Sequence, residues 1–172
     1  MELWDIYNAN REKTGKTMVR GASFEKGDYH LVVHVCIFGT DGRMLIQQRQ
    51  KDKEGWPDLW DLSVGGSSVA GEDAQTAASR EVYEELGIRI DLTGIRPHLS
   101  VNFDFGFDDI FLVEKDIDLR KIILQTEEVQ NVRWATRSEI KQMISDGSFV
   151  PYYPSLIDFI FDSHTHYGMH RK

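Results

Sequence analysis

The segment Gly66–Ile88 reads GSSVAGEDAQTAASREVYEELGI and indicates the fold class of this 172-residue chain. Acidic Glu72 and Asp73 suit the first turn of a helix, and Gly87 suits the position after its last turn. Between these ends, apolar residues recur at the spacing of an amphipathic α-helix, namely Ala74, Ala77, Ala78, Val82 and Leu86. The pattern therefore predicts one central helix inside this segment.

Three carboxylates lie within the predicted helix, at Glu81, Glu84 and Glu85. Residues three or four positions apart share one face of a helix, so these side chains crowd together. Like charges at that spacing destabilise an isolated helix, and a counter-charge is needed to justify them. A hard divalent cation takes oxygen ligands and bridges to phosphate, which favours a metal and phosphate site. The alternative is a solvated acidic helix face.

Two neighbouring features favour the metal site over the solvated face. Arg80 interrupts the acidic run and can hold a neighbouring carboxylate in place. The pair Gly65-Gly66 lets the backbone approach the helix closely, which suits carbonyl ligation or contact with a phosphate. We therefore interpret the segment as a candidate catalytic element.

The rest of the chain is mostly strand-like. A hairpin is expected over about 2–20, and the periodicity predicts strands over 30–38, 44–49, 88–90, 99–103, 109–113 and 132–135. Two late helices are expected over 136–145 and 154–163. Strands around one central helix, followed by two helices and no linker, predict a single α/β domain over 1–172 with a mixed sheet covered on both faces.

Composition and charge exclude several classes of function. Hydrophobic residues make up 41% of the chain and charged residues 28%, as in globular domains. The formal net charge of -8 argues against a nucleic-acid partner, although a divalent cation can still mediate binding of a small anion. No stretch approaches the ~20 apolar residues of a membrane span, and the start lacks the pattern of a signal peptide. We therefore expect a cytoplasmic protein without a membrane partner.

The segment 66–88 resembles the Nudix box at every fixed position, namely Gly66, Glu72, Arg80, Glu81, Val82, Glu84, Glu85, Gly87 and Ile88. The resemblance implies an α/β/α sandwich in which the box forms a loop, a helix and a second loop. It also implies that Glu81, Glu84 and Glu85 bind Mg²⁺ or Mn²⁺, with the carbonyl of Gly65 as a further ligand. Glu72 and Arg80 resemble the pair that orients the helix and its carboxylates.

Members of this superfamily hydrolyse a nucleoside diphosphate linked to another group, so the resemblance implies a small-molecule diphosphate substrate. In such enzymes a metal-activated water attacks phosphorus. The catalytic candidates are Glu84 and Glu85 in the box and Glu128 in a later acidic loop, with Glu127 as the second choice in that loop. For the two loop residues, an exposed turn is the alternative.

The stretch before the box resembles type I isopentenyl diphosphate isomerase, which shares the Nudix fold, at Arg49, Lys53, Trp56, Pro57 and Trp60. In that enzyme the residues that match Arg49 and Lys53 contact the diphosphate. The isomerase also needs a catalytic cysteine and a histidine ligand, but Gly65 and Ser67 occupy those positions here. The single cysteine, Cys36, lies in an apolar strand and is expected to be buried. The resemblance therefore favours a hydrolase of the isomerase-like branch.

Several alternatives stay open at this point. An isomerase and a non-catalytic nucleotide-binding module compete with the hydrolase, and a homodimer is possible. His30 matches one isomerase histidine ligand or is a structural residue. Five aromatic residues either contact a base, line an apolar pocket or pack in the interior, namely Trp56, Trp60, Phe103, Phe105 and Phe107.

Overall fold

The structure is a computed structural model that describes residues 2–170. Its strands are β1 (Leu3–Tyr7), β2 (Lys13–Val19), β3 (His30–Phe38), β4 (Met44–Arg49), β5 (Trp60–Asp61), β6 (Val64–Ser67), β7 (Leu99–Phe103), β8 (Gly106–Glu114) and β9 (Val129–Ala135). Its helices are α1 (Ala74–Leu86), α2 (Arg137–Asp146) and α3 (Pro154–Ser163). Within 2–170, no helix combines the length and apolar character needed to cross a bilayer. Met1, Arg171 and Lys172, which the predicted domain includes, lie outside the described residues.

One mixed sheet forms the middle of the molecule, with a strand path β5-β4-β3-β8-β7. Its central strand is β3, which pairs with β8 in parallel and with β4 and β6 antiparallel along the opposite edge. The remaining strand, β9, pairs antiparallel with β4. Because β3 has strands on both edges and helices on both faces, its sequence is apolar nearly throughout instead of alternating.

Helices cover both faces of this sheet. α1 packs Ala77, Ala78 and Val82 against one face, which includes Val33 and Val35 of β3. On the other face, α2 and α3 bury a second cluster that includes Cys36, Phe38, Ile140, Ile157 and Phe161. Cys36 is fully buried, as expected for a strand residue. The predicted α/β/α sandwich with a mixed sheet is confirmed.

The hairpin of β1 and β2 lies across the loop that precedes α1. The backbone N–H of Ala70 donates to the carbonyl of Leu3 at 2.7 Å, and that of Gly71 donates to the Asp5 carboxylate at 2.8 Å. At the tip of the hairpin, Arg11 pairs with the buried carboxylate of Asp109 on β8 at 2.7 Å. These contacts fix the hairpin beside the loop, so that Arg20, the residue after β2, can reach the site described below.

One predicted strand is wrong, because residues 88–90 have no strand partner within the described chain. Gly87 ends α1 in the left-handed region with φ of 68°, and the chain then runs on without a ladder. Ile88 and Ile90 instead pack as single side chains against the cluster under α1. At the other end of α1, Asp73 precedes the first turn and caps it, where we expected a first-turn residue.

Candidate active site

The two ends of α1 hold the box glutamates in position. A carboxylate oxygen of Asp73 accepts the backbone N–H of Thr76 at 2.8 Å, which satisfies one free donor of the first turn. At the other end, the N–H of Gly87 donates to the carbonyl of Tyr83 at 2.9 Å. A Cβ at Gly87 would approach Ile123 to 2.9 Å and would require a strained backbone, so glycine is needed there. The local sequence thus determines where α1 begins and ends.

Glu81 and Glu85 lie one turn apart on α1 and are largely withdrawn from solvent. Glu85 is 5% exposed, and its carboxylate accepts a hydrogen bond from Nε2 of Gln47 at 3.0 Å. Burial, followed by the charge of Glu81, raises the pKa of Glu85 well above its usual value. Burial also raises the pKa of Glu81 to about 7, although the neighbouring Arg80 acts in the opposite direction. Two carboxylates that are largely withdrawn from solvent and repel each other favour a bound cation.

Arg80 ties the loop before α1 to the helix. Its Nε and Nη2 donate to the two oxygens of Glu72 at 2.8 and 3.0 Å, which is a bidentate pair. Its Nη1 donates to Glu81 and to Glu84, each at 2.9 Å, and Nη2 also reaches the carbonyl of Ser67 at 3.1 Å. The hydrogen bond to Glu72 is the largest influence that raises the pKa of Arg80. Arg80 therefore links Glu72 and the loop at Ser67 to two carboxylates of α1.

Gly65, just before the box, and Gly66, its first residue, allow side chains to approach the backbone of β6 closely. A Cβ at Gly66 would lie 2.2 Å from the carboxyl carbon of Glu81. A Cβ at Gly65 would lie 2.6 Å from the imidazole of His34 on β3. Non-bonded atoms do not approach this closely. Glycine at these two positions therefore lets Glu81 and His34 lie directly against the backbone of β6.

These side chains meet in a cavity of about 240 Å³ between β3, β6 and α1. The carboxylates of Glu81, Glu85 and Glu128 line it, as does the backbone at Gly65 and Gly66. Its cationic lining comes from Arg20, Arg49 and Lys53. Larger clefts occur elsewhere on the surface, including one of about 490 Å³ at the start of α1, but its lining includes no Lys, Arg or His. Opposite charges converge in the smaller cavity, and we take it as the candidate site.

Six of the nine predicted site residues line the cavity, whereas Glu72, Arg80 and Glu84 do not. Glu84 does not line the cavity; its side chain is 46% exposed and turns toward Arg80. Arg49 is fixed inside the cavity by the carbonyl of Gly55 at 2.9 Å and by Asp61 at 3.2 Å. Lys53 is paired with the carboxylate of Glu128 across the cavity, whereas Glu127 is exposed and lies outside the lining.

The sequence interpretation missed two ionisable residues of the cavity, His34 and Arg20. His34 lies on β3 beside Gly65, and its Nδ1 is 2.9 Å from the carboxylate of Asp108. Although burial acts in the opposite direction, Asp108 raises the pKa of His34 to about 9. Arg20 enters from the end of the hairpin and pairs with Glu2 at 3.1 Å. His34 could have been noticed as one of two histidines in the otherwise apolar strand β3, but nothing local to Arg20 indicates its place.

His30 and the aromatic candidates occupy separate environments. His30 stacks on Trp4 at 4.5 Å, outside the lining of the cavity, and burial lowers its pKa to about 4. Phe107 is buried in the cluster under α1, and Trp60 packs in the opposite cluster. The three remaining aromatic candidates are exposed by 40 to 53%, namely Trp56, Phe103 and Phe105.

Comparison with known proteins identifies the family. The sequence model of the NUDIX domain matches residues 28–153, which is well over half of the chain. The chain belongs to the Nudix family. An uncharacterized Nudix hydrolase of Listeria monocytogenes is 54% identical over 153 residues, which cover 89% of this chain and 90% of that protein. Membership identifies this chain as a Nudix pyrophosphohydrolase, an enzyme that acts on acid anhydrides.

Two further comparisons support the Nudix fold and the predicted branch. The crystal structure of DR0079 from Deinococcus radiodurans has a TM-score of 0.74 at 22% identity and covers 91% of this Nudix chain and 98% of that chain. An isopentenyl-diphosphate Delta-isomerase of Nocardia farcinica is 26% identical over 153 residues, or 84% of this chain and 86% of that protein. The chain is therefore a Nudix member with distant relatives that are named isomerases.

Proposed function

We propose that this Nudix enzyme hydrolyses a phosphoanhydride bond in a nucleoside diphosphate or a related diphosphate, with Mg²⁺ as cofactor and Mn²⁺ as a possible substitute. The observation that carries this proposal is the distribution of charge in the cavity. The carboxylates of buried Glu85 and partly buried Glu81 share it with the cations of Arg20, Arg49 and Lys53. A diphosphate with a divalent cation complements both sets of charges at once.

The donor set of the cavity fits a hard divalent cation. Within residues 2–170, no cluster of three or more His, Cys, Asp or Glu side chains forms a complete metal cage. Mg²⁺ does not require one, because it is usually bound by one or two carboxylates and completes its shell with water and substrate phosphate. Glu81 and Glu85 would supply those carboxylates, with the carbonyl of Gly65 as a further ligand. Glu84 would join them only after leaving Arg80.

A bound metal would lower the pKa of water and neutralise the diphosphate. The protein's own side chains would bind the phosphate, hold α1 in place and accept the proton. Arg49 and Lys53 would bind the phosphate oxygens, and Arg80 with Glu72 would hold α1 against the loop. Glu128 is the preferred base from the later loop, because its carboxylate lines the cavity. Glu84 and Glu85 remain the candidates within the box.

The decisive experiment is a substrate screen at neutral pH with magnesium. Nucleoside diphosphates, sugar conjugates, dinucleotides and prenyl diphosphates are incubated with the protein, and release of phosphate or nucleotide is measured. We expect turnover of at least one class, its loss on chelation, and its recovery with Mg²⁺ or Mn²⁺. Failure to hydrolyse any of these compounds, with the protein folded and metal present, contradicts the proposal.

The isomerase remains the second candidate, because named isomerases are among the distant relatives. Its catalytic thiol has no equivalent in the cavity, where Gly65 and Ser67 contribute no sulfur. Cys36 is fully buried in a different cluster, and burial raises the pKa of its thiol. Exchange of solvent deuterium into isopentenyl diphosphate without phosphate release would support the isomerase. A non-catalytic module would bind a nucleotide and turn over nothing.

Location and assembly complete the proposal. We propose a cytoplasmic enzyme that acts on a small molecule, without nucleic acid or membrane as partner, in keeping with the net charge of -8. A homodimer is compatible with this proposal. Sedimentation at several protein concentrations distinguishes it from a monomer.

A further inference from the structure

Asp61, the buried carboxylate that contacts Arg49 beside the cavity, has no functional role assigned so far. It lies on the short strand β5, opposite Gln47 of β4, and is 5% exposed. A carboxylate buried to this degree destabilises a protein unless cations or hydrogen-bond donors satisfy it. The partners of Asp61 therefore indicate its role.

Three donors satisfy Asp61. One oxygen accepts from Nη1 of Arg49 at 3.2 Å. The other accepts from the hydroxyl of Tyr152 at 2.9 Å and from the backbone N–H of Leu62 at 2.8 Å. Because a backbone donor and a phenol hold one oxygen, the other faces Arg49 in a defined direction.

Two contacts at different nitrogen atoms fix the guanidinium of Arg49. Nη1 donates to Asp61, and Nε donates to the carbonyl of Gly55 at 2.9 Å. A planar group held at two of its nitrogens cannot rotate about its last bond without breaking one contact. Nη2 makes no hydrogen bond to any residue within 2–170, so it remains for an anion in the cavity that Arg49 lines.

Tyr152 brings a remote segment into this arrangement. The segment between α2 and α3 is attached to β5 through hydrogen bonds between Trp60 and Ser148 at 2.9 Å and between Val150 and Trp60 at 2.8 Å. The Tyr152 ring lies edge-on to His34, with 6.5 Å between ring centroids. Burial and the charge of Asp61 raise the pKa of Tyr152 well above its usual value, so the hydroxyl stays a donor at neutral pH.

We propose that Asp61 and Tyr152 are positioning residues for diphosphate binding and act through Arg49. Tyr152 holds Asp61, Asp61 holds the guanidinium, and the guanidinium binds the phosphate oxygens. This inference rests on the proposed role of Arg49. The alternative is that the three residues only stabilise the packing of β5 against the segment before α3.

The test measures binding of inorganic pyrophosphate by calorimetry in magnesium-containing buffer. The variants are Asp61→Asn, Tyr152→Phe and Arg49→Met, together with each of the first two in the Arg49→Met background. We expect Asp61→Asn to weaken binding about tenfold and Tyr152→Phe about threefold in the native background, since charged pairs are worth more than neutral ones. In the Arg49→Met background both changes should have less than about a twofold effect, because coupled residues are not additive.

Asp58→Asn is the matched control, because it removes an exposed carboxylate near β5 that contacts Gln48 and Gln130 instead of Arg49. It should leave pyrophosphate affinity unchanged, and circular dichroism should show that every variant is folded. Equal weakening by Asp61→Asn with and without Arg49 assigns it a structural role and overturns the inference. Absence of pyrophosphate binding by the native protein also overturns it. Binding without turnover of any diphosphate refutes only the proposed hydrolysis.

Discussion

The ammonium group of Lys53 pairs with the carboxylate of Glu128, which lies 75 residues further along the chain. Both groups line the cavity that contains Glu81 and Glu85. In the proposed function, Lys53 binds the diphosphate and Glu128 accepts a proton from water. A diphosphate that binds Lys53 competes for the same ammonium group, so the free base would become available when substrate is present.

The first prediction concerns the base. Glu128→Gln should lower kcat about a hundredfold or more, because a glutamine cannot accept the proton. Glu127→Gln, the matched neighbour, should cause a much smaller loss because Glu127 is exposed and outside the cavity lining. Steady-state kinetics on the best substrate of the screen measure both. A larger loss with Glu127→Gln would transfer the role to that residue.

The second prediction separates function from stability at Glu85. Glu85→Gln keeps the acceptor for Gln47 but removes a buried charge whose neighbours include Glu81. We expect activity to fall about a hundredfold or more if a metal ligand is lost. The melting temperature in metal-free buffer should rise by about 2–4 °C, because the like-charge repulsion disappears. Unchanged turnover in this variant would falsify the assigned role.

The third prediction concerns the close approach at Gly66. In Gly66→Ala, the added methyl group would overlap the carboxylate of Glu81 and displace it. That carboxylate is the end of a flexible side chain, so the fold should survive and the melting temperature should change little. Activity should fall about tenfold or more, because small displacements of catalytic groups are costly. Activity equal to the native level would mean that Glu81 need not occupy its observed position.

The fourth prediction concerns pH and His30, whose pKa is lowered by burial from 6.5 to about 4. The unfolded chain binds the proton more readily, so His30 favours folding above pH 6.5 and this contribution is lost as the pH falls toward 4. The resulting decrease in the free energy of unfolding can reach about 3 kcal/mol. Its ring packs against Trp4, Phe24 and Phe103, which carry no charge.

Chemical denaturation between pH 4 and 7 measures this effect. His30→Phe should reduce the loss of stability over that range, because an uncharged ring replaces a titrating one. The Nδ1 of His30 is buried without a hydrogen-bond partner among residues 2–170, so the substitution breaks no hydrogen bond at that atom. An identical pH dependence in the native protein and the variant would attribute the acid sensitivity to other groups.

Helix α1 and its carboxylates could be predicted from the sequence because helix geometry is local. Residues three or four positions apart meet wherever the helix lies, and Gly87 ends the helix through its own backbone conformation. Residues 88–90 show the limit of this reasoning. Their apolar positions satisfy the core without a strand partner, and a short pattern does not distinguish these two cases.

The sequence by itself determined the box, the three carboxylates, the two glycines and the layered fold, because these depend on spacing over a few residues. Only the tertiary structure decided which remote side chains complete the cavity. His34 meets Asp108 because β3 and β8 pair in parallel, and Tyr152 reaches Asp61 because the segment before α3 attaches to β5. Such contacts depend on strand pairing and on the path of the chain between elements. Neither is encoded in the local periodicity of the sequence.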